Sequence, residues 1–318
     1  MAHARNRSLI VICALLLGAC ASWAMPRQGH SRNYDLVKQW GSSLGGQQHT
    51  WNIAVCPGGE TYVVDEEGRA KFIGSDGKLV FEQPQVATPS RRTPVACGPQ
   101  NQLYVFDGLL KTFSTIPAGK LRLESSTRLP CLALKLLAAP DGTAYVLGVD
   151  DPLRYVIAQI PTQSTGWRVL AEEPVSSLVG AARVAILDWD PHNARIIYAL
   201  PGDPEIRFLD PKASLPAKGV RSYSSGAGPF VPSAEWLGLA ILSNGNFLAQ
   251  RRSKSEIADV FDSERLVLLN PKQEVLWSAD KDVNFGVLLG ASSDGGLYFL
   301  SSSGELVRCA LVETNRRP

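Results

Sequence analysis

Few side chains in this sequence have the type and spacing to do chemistry. The clearest set is Asn52, Asp188, Glu235 and Asn284, polar groups that each stand beside or within an apolar strand-like run, with Thr93 and Lys135 in matching places. Amide and carboxylate oxygens that converge on an axis could hold Ca²⁺, which takes six to eight oxygen ligands. A slip of one residue in any strand turns its side chain to the other face. The plain alternative is a set of polar groups that bind water. Gly41-Ser42-Ser43-Leu44-Gly45 fits the spacing of a nucleophile elbow. That elbow needs a strand-to-helix turn and a downstream acid and histidine. No helical pattern follows, His49 is too close, and the segment reads as a loop. The remaining histidines past the leader, His30 and His192, have no ligand-spaced partner, and no Cys-x-x-Cys occurs, so zinc is not expected. No glycine-rich phosphate motif is present either. No metal-ligand or catalytic set stands out, and no cofactor is expected beyond the Ca²⁺ option.

What must position these residues is a chain of 318 residues, 45% hydrophobic and 19% charged, which is enough to bury a large core. Lys+Arg 32 against Asp+Glu 30 leaves a net charge of +2, and Arg5 and Arg7 sit in a basic leader. The body is therefore balanced, which excludes the basic footprint of a nucleic-acid binder. Residues 1–7 are basic and residues 9–17 apolar, a pattern too short for a mature membrane span. Leu17-Gly18-Ala19-Cys20 resembles a bacterial lipobox. That resemblance implies a signal peptide over 1–19, lipidation of Cys20 and a tether over 20–33. Ala21 after the cysteine implies the outer membrane, facing the periplasm. Cleavage after Ser22-Trp23-Ala24 would instead give a soluble secreted or periplasmic protein.

A phrase of polar turn then aromatic strand recurs along the body. It reads Pro57-Gly58-Gly59-Glu60-Thr61-Tyr62, Pro99-Gln100-Asn101-Gln102-Leu103-Tyr104 and Pro140-Asp141-Gly142-Thr143-Ala144-Tyr145, and then closes on Tyr198, Phe247 and Tyr298. The aromatics are 42, 41, 53, 49 and 51 residues apart. Each unit divides into four short strands; the first has Trp51–Val55, Thr61–Asp65, Ala70–Gly74 and, after a Ser75-Asp76-Gly77 turn, Lys78–Glu82. Val175–Arg183 is the nearest approach to a helical pattern. Six such units predict an all-β fold, a six-bladed propeller of four-stranded blades. The last unit is one strand short, and Tyr34–Trp40 has no unit of its own. The spacing therefore predicts that residues 34–40 complete the sixth blade, making 34–312 one domain and 313–318 a tail.

Gly58-Gly59-Glu60-Thr61-Tyr62-Val63-Val64-Asp65, with the later Asp76-Gly77 turn, resembles an NHL repeat, and Tyr104-Val105-Phe106-Asp107 repeats its strand. The resemblance implies the six-bladed, TolB-type propeller superfamily. In units three to six, Gly148, Pro201, Gln250 and Ser301 replace the aspartate. Asp65 and Asp107 are expected to bind amides of their own turns. Six-bladed lactonases of the gluconolactonase type are similar in holding a metal with Glu, Asn and Asp from several blades, which is what suggests Ca²⁺ at Asn52, Asp188, Glu235 and Asn284.

Of the six cysteines, Cys13 lies in the leader. Cys56, Cys97, Cys131 and Cys309 remain in the body; Cys56 and Cys97 sit in nearly matching places of successive units and are the expected pair, if any forms. Residues 212–234 form a long Ser/Gly/Pro-rich connection whose Arg221, Tyr223 and Phe230, with Trp236 just beyond it, could rim a partner site. Residues 251–264 read as a second, solvated excursion, and Trp167 and Trp236 as rim tryptophans for carbohydrate. The expected function is a lipid-anchored binding or scaffold module of the cell envelope for a protein or small ligand, with no nucleic acid. The alternative is a metal-dependent hydrolase of lactone or ester type.

Overall fold

The computed structural model describes residues 33–45, 50–119, 125–129, 131–150, 154–161, 166–174, 185–201, 205–212, 234–254, 261–272, 274–279 and 286–314. Cys20, Asn284, residues 175–184 and residues 213–233 lie outside them. The strands form six antiparallel sheets, which are the six blades of a propeller. Blade 1 holds Ile53–Val55, Thr61–Val64, Ala70–Ile73 and Leu79–Gln83; blade 2 holds Val95–Cys97, Leu103–Asp107, Thr112–Ile116 and Ser125–Arg128. Blade 3 holds Leu132–Ala138, Ala144–Asp150, Arg154–Ile160 and Arg168–Pro174. Blade 4 shows Ile186–Asp190, Arg195–Ala199 and Arg207–Leu209 among the described residues. Blade 5 holds Ala234–Ile241, Phe247–Lys254, Phe261–Leu269 and Val275–Ser278.

Blade 6 is built from both ends of the chain. Val287–Ala291, Leu297–Leu300 and Glu305–Thr314 supply three strands, and Asn33–Ser43 pairs with Glu305–Thr314 as the fourth. The strand expected at 34–40 is thus present and longer at both ends. Its Trp40 reaches past its own blade: Nε1 donates to the Ser75 carbonyl of blade 1 at 2.9 Å.

The core is six interfaces between neighbouring blades. One apolar cluster joins blades 1 and 2 through Tyr62, Phe72, Leu103 and Ile116, and another joins blades 6 and 1 through Tyr298, Leu300, Ile53 and Val63. A second strand is therefore covered on both faces. That is why Thr61–Val64, Leu103–Asp107 and Leu297–Leu300 are buried at every position and read as continuous apolar runs. Outermost strands meet solvent, as in Leu79–Gln83 and Val275–Ser278. Residues 251–254 and 261–264 are not a free excursion. They extend two paired strands, with Arg251 opposite Arg265 and Arg252 opposite Glu264.

Candidate functional site

The innermost strands of all six blades enclose one axial cavity of about 530 Å³. Its wall is aliphatic and small: Ile53 and Val55 from blade 1, Ala96 from blade 2, Ala138 from blade 3, Leu239 from blade 5 and Leu289 from blade 6 are representative. The turns after these strands ring one mouth with Pro57, Pro99, Pro140, Pro191, Ser243 and Ser293. His192 stands among them, exposed in the blade 4 turn.

Among the described residues, two charged side chains besides the mouth histidine line this cavity, Lys135 and Asp188, on the facing first strands of blades 3 and 4. Both line it by local geometry. The pairing of Leu132–Ala138 with its neighbour shifts register between Ala133 and Lys135, a β-bulge that resets the side-chain alternation at Lys135. Asp188 lies in an unbroken ladder opposite Ile197. Its Oδ1 accepts the backbone N–H of Trp189 at 2.8 Å. The Trp189 ring stacks on Tyr145, 6.0 Å between centroids, and forms part of the wall.

Lys135 and Asp188 act on each other through space. Among the described residues, neither makes a direct ion pair, and the Lys135 ammonium has no hydrogen-bonding acceptor. Burial pushes the Asp188 carboxyl up to about 6, against the pull of the Trp189 N–H and of Lys135, with Asp190 adding to the rise. Burial likewise lowers Lys135, and Asp188 partly restores it.

Of the four residues read as a metal set, Asn52 and Asp188 have described side chains, and the cavity that Asp188 lines does not include Asn52. Asn52 lies at the end of the short turn Thr50–Asn52, buried and away from the cavity wall. Its Oδ1 accepts the Thr93 N–H at 2.9 Å, which stitches blade 1 to the approach to blade 2. Thr93 is thereby used structurally. Asp188 does line the cavity. Glu235 lies on the first strand of blade 5, and Asn284 is outside the described residues. No group of three or more His, Cys, Asp or Glu is arranged to hold a metal among the described residues. Trp236 is not a rim residue: it is buried in the interface of blades 4 and 5. Trp167 is exposed.

Asp65 and Asp107 secure loops. Asp65 Oδ1 accepts the N–H groups of Glu67 and Arg69, and Oδ2 binds Arg69 Nε at 2.8 Å. Asp107 Oδ1 accepts the N–H groups of Leu109 and Leu110, while Oδ2 takes both the N–H and the hydroxyl of Thr88. Burial raises the Asp107 carboxyl, but these donors outweigh it and hold it below its ordinary value. Gln250, which replaces the aspartate in blade 5, donates to the Gly286 carbonyl and accepts the Leu288 N–H, so it ties blade 5 to blade 6.

Cys56, just after the first strand of blade 1, forms a disulfide with Cys97 at the end of the first strand of blade 2, and Cys97 lines the cavity. Cys131 and Cys309 are buried free thiols, and burial pushes each up to about 11. A thiol in that state is a poor nucleophile at neutral pH.

Comparison with solved structures supports the fold. A member of the DUF4221 family from Bacteroides vulgatus matches 90% of this chain and 99% of its own, with a TM-score of 0.58 and 8% identity. Hydrazine synthase from Kuenenia stuttgartiensis matches 86% of this chain and 76% of its own, with a TM-score of 0.56 and 14% identity. A catalytically inactive virginiamycin B lyase from Staphylococcus aureus, solved with quinupristin, matches 88% and 100%, with a TM-score of 0.53 and 10% identity. No family profile and no curated protein sequence matches the chain. At such identities the likeness is one of architecture, and chemistry is not inherited with a propeller.

Proposed function

We propose that this chain is a binding module of the cell envelope, an NHL- or TolB-type propeller that takes a small ligand into its axial cavity. The supporting observation is the cavity itself. It has about 530 Å³ of space, an aliphatic wall and one isolated pair of opposite charges, the usual constitution of a small-molecule pocket. The lipobox-like Leu17-Gly18-Ala19-Cys20 supports tethering through a lipid on Cys20 to the outer membrane, with the propeller in the periplasm. There its outer faces are open to an envelope protein partner.

The test is uptake of a neutral apolar fluorophore, N-phenyl-1-naphthylamine, by the full chain and by two cavity-filling variants, Ala138→Phe and Ala291→Phe. The expected result is a saturable fluorescence rise that a folded filled variant reduces at least tenfold in affinity. Absence of saturable uptake, or equal uptake by filled variants that melt like the parent, would overturn the axial site. Tethering is checked separately: Cys20→Ala should move the chain from the detergent-soluble membrane fraction to the soluble fraction.

A further inference from the structure

We infer that the axial cavity is built for a hydrophobic α-amino acid, or an equally compact zwitterion with an apolar body. Its carboxylate would sit on Lys135 and its ammonium on Asp188. This rests on the axial-site reading above and names the ligand class.

The inference starts from two side chains of opposite charge held on facing strands of neighbouring blades. Both line a chamber whose wall is mostly aliphatic, with His192 and serines at one mouth, and among the described residues they do not pair with each other. Asp188 spends one oxygen on the Trp189 N–H, and the other has no hydrogen-bond donor among the described residues. Lys135 has three ammonium protons and no acceptor among the described residues. Both side chains are half-buried and keep unused hydrogen-bonding capacity among the described residues, and a ligand that completes both gains charge-assisted hydrogen bonds.

Charge balance selects the ligand type. A simple carboxylate would satisfy Lys135 but bring a second negative charge beside Asp188, and an amine would do the reverse beside Lys135. A group carrying both charges on one carbon can meet both side chains and leaves the chamber neutral. The rest of the wall then sets the other half of the ligand. Ala138, Leu239, Leu289 and the stacked Trp189 offer apolar surface and no further charge. A ligand with a large aliphatic or aromatic side chain fills that space, whereas alanine or glycine leaves most of it empty.

The experiment is calorimetric titration of the full chain with L-phenylalanine, L-leucine and L-alanine. N-acetyl-L-phenylalanine lacks the ammonium, and L-phenylalanine amide lacks the carboxylate. The expected order has phenylalanine and leucine binding, with alanine and both blocked compounds about tenfold weaker or more, a factor of ten being about 1.4 kcal/mol. The variants then cross with the probes. In Lys135→Met, phenylalanine should lose its advantage over the amide. In Asp188→Asn it should lose its advantage over the acetyl compound. A merely structural role for either residue would weaken all five probes together, which would overturn the assignment. If neither variant folds, the five-probe order on the parent chain decides. Equal binding of free and blocked phenylalanine overturns the zwitterion reading, as does no binding of phenylalanine up to 10 mM. In both cases naphthylamine uptake decides independently whether the axial site itself stands.

Discussion

The Tyr298 hydroxyl donates a 2.6 Å hydrogen bond to the carbonyl of Gly59, 239 residues earlier, and so fastens the last blade to the first. The same contact recurs around part of the ring. Tyr62 donates to the Asn101 carbonyl of blade 2 at 2.7 Å, and Tyr104 to the Gly142 carbonyl of blade 3 at 2.8 Å. At the closure, Ser293 adds two donors to the Pro57 carbonyl, from its N–H and its hydroxyl. Gly59 has φ of +93°, and a Cβ there would meet Tyr298 Oη at 2.9 Å, so the turn has to stay glycine for the latch to close.

Tyr298→Phe keeps the ring in its pocket but leaves the Gly59 carbonyl without this donor. The expected loss is about 1–2 kcal/mol in urea unfolding. Gly59→Ala should cost at least as much, since it adds positive-φ strain to the steric contact. Unchanged midpoints for both would show that the latch contributes nothing to ring closure.

The Cys56–Cys97 disulfide closes a span of 41 residues and joins two blades. Chain-entropy reasoning puts its contribution at about 2–4 kcal/mol. Reductant, or the double variant Cys56→Ala/Cys97→Ala, should lower the melting temperature accordingly. Titration of thiols offers a second check. In a chain starting at residue 24, no thiol should react rapidly in the folded state and two, Cys131 and Cys309, should react after unfolding. Four reactive thiols after unfolding would mean that the bridge does not form.

The repeat, the blade count and the closing strand were legible because each blade repeats the same turn chemistry. The parity within a blade was not. Tyr62, Tyr104, Tyr145 and Tyr298 all pack toward the following blade. Tyr198 and Phe247, which look equivalent in sequence, pack backward, toward blades 3 and 4. The forward positions there are Ile197 and Leu248. In blade 4 the turn Pro191–Ala194 is longer, and in blade 5 the aromatic follows the turn one residue sooner; either change of one position reverses the face. Tyr198 ends beside Glu173 of blade 3, to which it donates at 2.6 Å, and Arg207 pairs with the same carboxylate. Lys135 was similarly ambiguous, because a bulge at Leu134 leaves no signature in the order of residues. The charges of 251–254 and 261–264 concealed strand extensions, since a run of charged and polar residues reads as a loop.

Blade closure by Asn33–Ser43 predicts a sharp truncation effect. Ten residue pairs join this strand to Glu305–Thr314. Trp40 also bridges to blade 1. Removing residues 1–44 exposes the edge of Glu305–Thr314 and uncovers Tyr34 and Leu36 contacts with the blade 5 and 6 interface. The expected outcome is a species that aggregates or melts well below the parent, seen by size-exclusion chromatography and thermal unfolding. A monomer of unchanged melting temperature would show that the ring closes without it.

Asp107 and Asp188 predict opposite responses to acid, and the difference can be read in one experiment. Asp107 has a folded value below 3.8, so its stabilisation is complete above about pH 4 and disappears as the pH falls through that lowered value. Asp188 has a folded value of about 6 against 3.8, so the folded state binds the extra proton between those limits. Stability from Asp188 therefore falls as the pH rises from about 4 to about 6 and is flat above. Lys135 and Asp190 are the charges that act on it. Lys135, lowered by burial, contributes on the alkaline side, where stability rises toward pH 10.5. In urea unfolding at pH 4.5, 5.5 and 7, the parent chain should lose on the order of 1 kcal/mol across this range relative to Asp188→Asn. Asp107→Asn should instead run parallel to the parent there and differ in slope only below pH 4. Parallel curves for Asp188→Asn and the parent would mean that the Asp188 carboxylate is solvated inside the cavity and has no unmet charge to offer a ligand.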